Sequence, residues 1–351
     1  MTAAKPSAAA LIAWQRTHGR HELPWQRTRD PYRVWLSEIM LQQTQVSTVV
    51  GYYERFLQRF PDVQALAAAP QDEVLALWSG LGYYSRARHL HACAKAVVEC
   101  HGGAFPRSSA ALAKLPGIGR STASAIAAFC FGERTAILDG NVKRVLTRAL
   151  GFDADLTVAA NEKRLWQHAE ALLPKDGIEA YTQGLMDLGA TICTLRRPAC
   201  DACPWRAPCV ARAQGRPEAY PVKTRKLKRG QRDNSLLLLS AGRQLWLVQR
   251  PTPGVWAGLW SLPEYDAEAV ALLLLADRGP GEIERLPAVR HVLTHFDWQL
   301  RPWHWRLPEK VAASTRSRIE RSLPPGRWFH VDEALAAGLP APVRKLIEAL
   351  A

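Results

Sequence analysis

The sequence predicts a two-domain protein in which an all-α domain precedes an α+β domain. Apolar residues recur at three- and four-residue spacing from about Leu11 to Ala213, as in "DEVLALWSGLG" and "STASAIAAFCF", and strand-like alternation is nearly absent there. Beyond this region the pattern changes to strand-like segments such as "QLWLVQR" and "HFDWQLRPW", interspersed with helical stretches such as "APVRKLIEAL". A length of 351 residues also suits two domains.

A basic segment separates the two patterns. Gly215–Asn234 contains seven Lys or Arg, two acids, two Pro and no helical period. This composition predicts an interdomain linker that could run beside a phosphate backbone. We therefore expect an all-α domain at residues 1–214, a linker at 215–234 and an α+β domain at 235–351.

The composition limits the classes of partner and compartment. The formal net charge is +14, which favours a polyanionic partner, with nucleic acid as the first hypothesis. The N-terminal stretch "MTAAKPSAAALIAW" lacks the features of a signal peptide, and no later apolar run is long enough to span a bilayer. We therefore expect a cytoplasmic protein, in which clustered cysteines indicate metal rather than disulfides.

The stretch "SEIMLQQTQV" places one carboxylate, Glu38, in an apolar run. On a continuous helix its neighbours are Trp35 on one side and Leu41, Gln42 and Gln45 on the other. An isolated helical Glu is ordinarily exposed, because Glu is almost never buried without a partner. The apolar neighbours favour burial here, and burial favours the protonated form of a carboxyl group.

A second carboxylate occurs in "ILDGNVKRVL", where Asp139 precedes Gly140 and a predicted helix. In isolation such an Asp is more often a turn or capping residue. We expect Asn141 to cap this helix, which would leave Asp139 free and ionised near a helix N-terminus. Two carboxyl groups whose pKa values are shifted in opposite directions would suit cleavage of a glycosidic bond.

Two glycine-containing segments suggest contacts with nucleic acid. In "LPGIGRSTASAIAAF", Gly117 and Gly119 lie between two predicted helices and could expose N–H groups to a phosphate, although a plain helix–helix turn would look similar. In "GLGYYSRARHL", Tyr83 and Arg86 could stack on bases and hold phosphates, although two tyrosines of a hydrophobic core would give the same pattern.

Four cysteines within residues 193–209 form the strongest single signal. They are Cys193, Cys200, Cys203 and Cys209. Thiolates are selected both by zinc and by iron–sulfur clusters, and the spacing alone does not decide between them. The remaining cysteines lie in helical patterns, and we expect them to be small core residues. They are Cys93, Cys100 and Cys130.

These segments occur in an order that resembles adenine DNA glycosylases of the MutY type. The matching motifs are "DPYRVWLSEIMLQQTQV", "GLGYYSRAR", "LPGIGRSTA", "ILDGNVKRVL", "MDLGATICT" and the four-cysteine array. The resemblance implies a helix-hairpin-helix glycosylase domain of the endonuclease III superfamily with a 4Fe-4S cluster on the four cysteines, followed by a Nudix-like domain. It also implies a monomer in the bacterial cytoplasm, associated with the nucleoid, that excises adenine opposite 8-oxoguanine or guanine in double-stranded DNA.

The same resemblance implies roles for individual residues. Glu38 corresponds to the acid that protonates adenine at N7, and Asp139 to the carboxylate that stabilises positive charge at C1′. Gln42 and Tyr83 correspond to wedges at the mispair, and Gln183 to a residue of the adenine pocket. The complete set of expected DNA contacts is Gln42, Tyr83, Arg86, Gly117, Gly119, Ser121, Lys143, Gln183, Thr294 and His295.

Ser121 indicates a monofunctional enzyme. Relatives that also cut the strand carry a Lys at the matching position, and a serine hydroxyl cannot form their Schiff base. Lys143 is close enough to Asp139 in sequence to capture the abasic aldehyde as a side reaction. A bifunctional glycosylase acting on oxidised pyrimidines is therefore the less favoured interpretation.

The C-terminal part resembles the Nudix-like domain of this family, most clearly in "PTPGVWAGLWSLPE". No Arg-Glu-x-x-Glu-Glu motif follows Leu262, which argues against a nucleotide pyrophosphohydrolase. The resemblance implies recognition of 8-oxoguanine, with Leu293, Thr294 and His295 at the place of the family's Phe-Ser-His loop. A non-catalytic DNA-binding protein is a further alternative, and it predicts that Glu38 and Asp139 can be replaced without consequence.

Overall fold

The structure is a computed structural model that describes residues 5–224, 228–266, 269 and 279–350. It divides into two compact units. The first consists of Met1–Ala68 with His89–Lys226, and the second of Ala69–Arg88 with Leu227–Ala351. The segment Ala69–Arg88, which lies within the predicted all-α domain, thus groups with the sheet-containing unit.

Helices dominate the first part of the chain, as predicted. They are α1 (Ala8–His18), α2 (Pro31–Met40), α3 (Val46–Arg59), α4 (Val63–Ala68), α5 (Gln71–Leu77), α6 (Ser85–His101), α7 (Ser109–Leu112), α8 (Arg120–Phe131), α9 (Gly140–Leu150), α10 (Ala159–Ala171), α11 (Ile178–Asp187) and α12 (Val210–Ala213). Asp30 starts α2 by accepting a hydrogen bond from the Tyr32 N–H at 2.9 Å. Gly151 ends α9 in the left-handed conformation that favours glycine.

One predicted helix is interrupted. The periodicity predicts a single helix through "VWLSEIMLQQTQVSTVV", but α2 ends at Met40 and α3 starts at Val46. Gln43 between them has a φ of 57°, which an α-helix does not allow. The prediction that Gln42 and Gln45 continue the helical stripe of Glu38 was therefore wrong.

Helix α9 contributes its apolar face to the core of the first unit. Val142, Val145, Leu146 and Ala149 are buried in a cluster that also contains Leu185 of α11. A π-helical turn, Leu188–Ile192, continues from α11. At Gly189 in this turn, a Cβ atom would lie 2.8 Å from the Asn141 Cβ, so the first turn of α9 packs directly on a glycine.

The second unit contains a mixed sheet, which confirms the α+β prediction. Its described strands are β1 (Gly230–Ala241), β2 (Gln244–Gln249), β3 (Trp260–Ser261), β4 (Glu264–Asp266), β5 (Glu282–Arg285), β6 (Val289–Val292), β7 (Phe296–Leu307) and β8 (Gly326–His330). The described helices that follow β7 are α13 (Ala313–Ser322), α14 (Val331–Ala336) and α15 (Ala341–Glu348). Strand β1 begins within the predicted linker, of which residues 225–227 lie outside the described part of the chain.

The long strands β1 and β7 are parallel neighbours in register from Gly230 opposite Phe296 to Ala241 opposite Leu307. Strands β2 and β4 pair antiparallel with β1, β5 and β6 pair antiparallel with β7, and β8 pairs antiparallel with β2. Leu237, Trp246 and Trp305 are buried together on this sheet. Of the helices that the structure describes, none is both long and apolar enough to cross a membrane.

The contact at Gly189 gives a test of the packing of α9. We expect Gly189→Ala to lower the free energy of unfolding by about 1–3 kcal/mol, because the added Cβ has no room beside Asn141. Gly140→Ala, in the first turn of α9 itself, is the control, since a Cβ there meets no atom within 4 Å. Urea unfolding followed by circular dichroism measures both. Equal stability of the two variants would contradict this packing.

Candidate active site

A cavity of about 330 Å³ lies within the first unit. Glu38 lines it together with Val34 and Leu41 from the region of α2, and α11 contributes Gln183 and Met186. The cavity therefore combines two carboxyl groups, Glu38 and Glu179, and several other polar side chains with apolar ones. Polar groups set among apolar side chains are typical of pockets that bind small, partly polar molecules.

Glu38 is half-buried in the wall of this cavity. Its carboxyl group makes no hydrogen bond or ion pair with any residue in the described ranges. Burial raises the pKa of Glu38 from 4.5 to about 8, and the nearby charge of Asp139 acts in the same direction. Glu38 consequently holds a proton at neutral pH, as the apolar surroundings in the sequence predict.

Asp139 is the N-cap of α9, and its Oδ1 accepts a hydrogen bond from the Val142 N–H at 2.7 Å. The prediction that Asn141 caps this helix was wrong. Asn141 lies inside the first turn, where its Oδ1 accepts a hydrogen bond from the Arg144 guanidinium at 2.8 Å. Asp139 can cap because its own backbone is extended and the helix begins at the next residue, Gly140.

The two carboxyl groups differ in their surroundings more than in the direction of their shifts. Burial raises the pKa of Asp139, and hydrogen bonds from the Val142 and Asn141 N–H groups, with the charges of Arg144 and Lys143, oppose that rise. The predicted opposite shifts were therefore wrong in sign for Asp139. The two carboxyl groups differ because hydrogen-bond donors and positive charges favour the ionised form of Asp139, whereas neither acts on Glu38 within the described part of the chain.

Asp187, which was not predicted as a site residue, holds two side chains that line the cavity, Arg20 and Gln183. Its side chain is fully buried. Oδ1 accepts hydrogen bonds from Arg20 Nε at 2.7 Å and from Gln183 Nε2 at 2.9 Å, while Oδ2 accepts one from the Arg20 backbone N–H at 3.0 Å. An acid inside the apolar stretch "GLMDLG" was the available signal.

Ser121 and Lys143 both have partners within the first unit. Ser121 Oγ accepts a hydrogen bond from the Leu138 N–H at 3.0 Å, directly before Asp139 in the chain. Lys143 Nζ forms an ion pair with Glu162 at 2.7 Å. The two side chains thus support the segment that carries Asp139.

The predicted hairpin has one glycine that packing requires and one that it does not. Gly117 has a φ of +74°, and a Cβ there would lie 2.6 Å from the His89 Cβ. Gly119 precedes α8 with an ordinary backbone conformation, and a Cβ there would meet nothing within 4 Å. Gln42 approaches the same helix, because its Nε2 donates a hydrogen bond to Thr122 Oγ1 at 3.4 Å.

Within the second unit, Tyr83 lies next to the loop that joins β6 to β7. Tyr83 is 44% exposed and has a φ of 48°. Its hydroxyl is 3.3 Å from the Thr294 hydroxyl, and His295 in the same loop is exposed. The structure therefore brings together Tyr83 and Thr294, which are distant in sequence but are both predicted DNA contacts.

Arg86 was predicted to contact DNA, but its side chain is buried. The side chain is only 8% exposed, and its guanidinium donates hydrogen bonds to the Leu81 and Gly82 carbonyl oxygens, each at 3.2 Å. Burial lowers the pKa of Arg86 to about 10. Because it is engaged with the backbone of its own loop, Arg86 holds the conformation before Tyr83 instead of reaching a phosphate, which corrects the prediction.

The four predicted cysteine ligands line one small cavity. Arg148, which is 1% exposed, donates hydrogen bonds there to Cys193 Sγ at 3.4 Å and to the Thr194 and Leu195 carbonyl oxygens at 2.6 and 3.0 Å. Burial raises the pKa of the Cys203 thiol to about 12. A buried arginine thus holds the loop in which the four sulfur atoms meet.

The chemistry of the cysteine cavity suits a metal–sulfur group, because all four cysteines that line it offer soft thiol donors. Four soft thiol donors around a shared space suit an iron–sulfur group. Among the other cysteines, Cys93 is buried as predicted, whereas Cys100 is exposed, so the core prediction was wrong for Cys100.

Two family models match this chain. Residues 36–171 match the model of the HhH-GPD superfamily base excision DNA repair protein, and residues 235–349 match the NUDIX domain model. The chain is 34% identical to an adenine DNA glycosylase of Buchnera aphidicola over 96% of this chain and 95% of that protein. It is 33% identical to the adenine DNA glycosylase of Homo sapiens over 96% of this chain and 72% of that protein.

Among solved structures, a thermostable thymine-DNA glycosylase covers 59% of this chain and 95% of its own with a TM-score of 0.53 and 30% identity. That structure supports the helical glycosylase fold, and the NUDIX match explains the remaining sheet-containing part. The full-length relatives match along nearly the whole of this chain, as the sequence resemblance predicted. The chain belongs to the adenine DNA glycosylase family, whose members bind DNA and remove adenine in base excision repair.

Proposed function

We propose that this enzyme removes adenine that is mispaired with 8-oxoguanine, and also with guanine, and that Glu38 is its general acid. The observation that carries this proposal is a carboxyl group that keeps its proton near neutral pH in the wall of a base-sized cavity. A glycosylase must extrude its target base from the duplex into such a cavity, because its target bond is inaccessible in the stack. Adenine becomes a better leaving group once its N7 is protonated.

In the proposed reaction, Glu38 donates its proton to N7 as the bond between C1′ and N9 breaks. The bonding electron pair leaves with the base, so positive charge develops on the sugar at C1′. The Asp139 carboxylate stabilises this charge, and the N–H groups at the start of α9 help to keep Asp139 ionised. Water supplies the oxygen that replaces adenine at C1′, and its proton returns to the Glu38 carboxylate.

The proposed enzyme is monofunctional. Ser121 has no amine with which to form a Schiff base, and its oxygen accepts a hydrogen bond from the Leu138 N–H. Lys143 is held by Glu162, so its capture of the abasic aldehyde would require that ion pair to break. Lyase activity would therefore be at most a slow side reaction.

The second unit is proposed to recognise 8-oxoguanine. Tyr83 is exposed and its hydroxyl lies beside Thr294, so an inserted aromatic wedge and a hydroxyl could meet the lesion together. His295 in the same loop and Gln42, Gly117 and Gly119 of the first unit would contact the strands. The charge of +14 supplies the general attraction to phosphate.

The proposed working unit is a monomer in the bacterial cytoplasm, associated with the nucleoid through DNA. Its glycosylase part corresponds to residues 1–214 and its lesion-recognition part to residues 235–351. The basic stretch 215–234 connects them. Because Ala69–Arg88 groups with the second unit, Tyr83 would act with the lesion-recognition part although it precedes most of the glycosylase part in sequence.

We further propose that the four cysteines of residues 193–209 hold a 4Fe-4S cluster. Their thiols line a common cavity around which Arg148 orders the backbone. When bound, the cluster would supply a rigid metal–sulfur core for the loop that also carries Arg196, Arg197 and Arg206. The proposed role is structural, because these arginines could then meet phosphates.

The first test concerns the general acid. A duplex with one adenine opposite 8-oxoguanine is incubated with excess enzyme under single-turnover conditions. Adenine release and strand breaks are then measured with and without alkali treatment after the reaction. We expect Glu38→Gln to reduce adenine release by about a hundredfold or more. We expect wild-type strand breaks mainly after alkali. Glu179→Gln is the control, because Glu179 lines the same cavity but pairs with Arg29.

Three outcomes of this experiment would contradict the proposal. Adenine release by Glu38→Gln at the wild-type rate would remove Glu38 as the acid. Absence of release by the wild type would remove the substrate assignment. Equal strand cleavage with and without alkali would show a bifunctional enzyme.

The second test concerns the cysteine cavity. We expect purified wild-type protein to contain iron and acid-labile sulfide with the visible absorption of a cluster, and we expect Cys203→Ser to lose most of both because thiolates are the cluster's ligands. Cys100→Ser is the matched control, since Cys100 is exposed and lies outside the loop. Iron, sulfide and zinc analyses measure the result. A stoichiometric zinc content without sulfide would contradict the cluster.

A further inference from the structure

The cavity contains the amide of Gln183, whose orientation is fixed by Asp187. Gln183 lines the cavity beside Glu38, and its Nε2 donates a hydrogen bond to Asp187 Oδ1 at 2.9 Å. No residue in the described part of the chain donates to the Gln183 carbonyl oxygen. This amide thus has one of its two N–H donors engaged by the protein and its acceptor oxygen available.

A carboxylate can hold an amide in only one of its two orientations. The oxygens of an ionised Asp accept hydrogen bonds but donate none, so the NH₂ group of Gln183 must face Asp187. If Gln183 flipped, its carbonyl oxygen would meet a carboxylate oxygen in a buried position, which is unfavourable. Asp187 therefore determines which half of the Gln183 amide remains for a ligand.

Asp187 itself has no freedom to turn away. It is fully buried, and Arg20 holds both of its oxygens through the guanidinium Nε and the backbone N–H. On one side it packs against Gly19, where a Cβ would already lie 3.0 Å from Asp187 Oδ2. The Asp187 carboxylate consequently has a fixed position, and the Gln183 amide orients against it.

We propose that Asp187 is a positioning residue that makes this cavity selective for purines with a 6-amino group. By fixing the Gln183 amide, it presents an acceptor oxygen to the exocyclic group of the base. The 6-amino group of adenine is a donor and matches this oxygen, whereas the 6-oxo group of hypoxanthine or guanine is an acceptor and does not. This inference rests on the proposed function, in which the cavity receives the extruded base.

The test compares two bases that differ at position 6. Single-turnover release is measured from duplexes that carry adenine or hypoxanthine opposite the same partner base, for the wild type and for Asp187→Asn. The NH₂ group introduced by Asp187→Asn, when it takes the place of Oδ1 and displaces Arg20 Nε from that position, could donate to a flipped Gln183. We therefore expect the adenine-to-hypoxanthine rate ratio to fall by about tenfold. Intrinsic differences between the two glycosidic bonds cancel when the ratios of the two proteins are compared.

A reciprocal exchange provides a rescue that a merely structural role would not give. In the double variant that combines Gln183→Glu with Asp187→Asn, the new carboxylate accepts from the new amide and again leaves an acceptor oxygen for the base. We expect this double variant to recover the wild-type ratio. It also provides the test if Asp187→Asn alone does not fold, which thermal unfolding of each variant would reveal.

Glu179→Gln is the control for charge in the same cavity, because Glu179 pairs with Arg29 and not with Gln183. We expect it to keep the wild-type ratio. An unchanged ratio in folded Asp187→Asn, or a low ratio in the folded double variant, would overturn the role of Asp187 alone. A wild-type protein that releases neither base would instead overturn the proposed function.

Discussion

The burial of the Glu38 carboxyl group, which has no hydrogen-bond partner among the residues that the structure describes, is the constraint on which the proposed chemistry depends. Raising its pKa from 4.5 to about 8 costs the folded state about 3 kcal/mol at neutral pH. The shift destabilises the folded state because the unfolded chain releases this proton above pH 4.5, whereas the folded chain keeps it up to a pH of about 8. The cost is absent at low pH and grows as the pH rises towards 8. A fold that tolerates this cost keeps one carboxyl group protonated at neutral pH, which is what the proposed general acid requires.

The surroundings of Asp139 complement this arrangement. Helix α9 begins directly after Asp139 and provides it with N–H donors, and the packing of Asn141 on Gly189 holds that first turn in place. Arg144 in the same helix donates to the carbonyl oxygens of Gly189 and Cys193 at 2.7 and 2.8 Å. The helix that follows Asp139 is therefore fixed to the start of the cysteine loop.

The sequence predicted those parts of the site that depend on local pattern, and it failed where distant residues decide. The two-unit fold and the burial of Glu38 follow from periodicity, and the four cysteines were found from spacing. The break after Met40 was missed because the polar run after Leu41 is compatible with a helix. Arg86 looked like a phosphate ligand because nothing local shows that its guanidinium is buried. Asp187 was missed because its partner Arg20 lies 167 residues away.

The measurement that tests this account most directly is a titration of the Glu38 carboxyl group in the folded, DNA-free protein. Infrared difference spectra between wild type and Glu38→Gln resolve the protonated and ionised forms of this one group as the pH is varied. The account predicts a carboxylic acid signal at neutral pH that disappears with a midpoint near 8. A midpoint near the ordinary value of 4.5 would contradict it, because Glu38 would then be ionised and could not protonate a base at neutral pH.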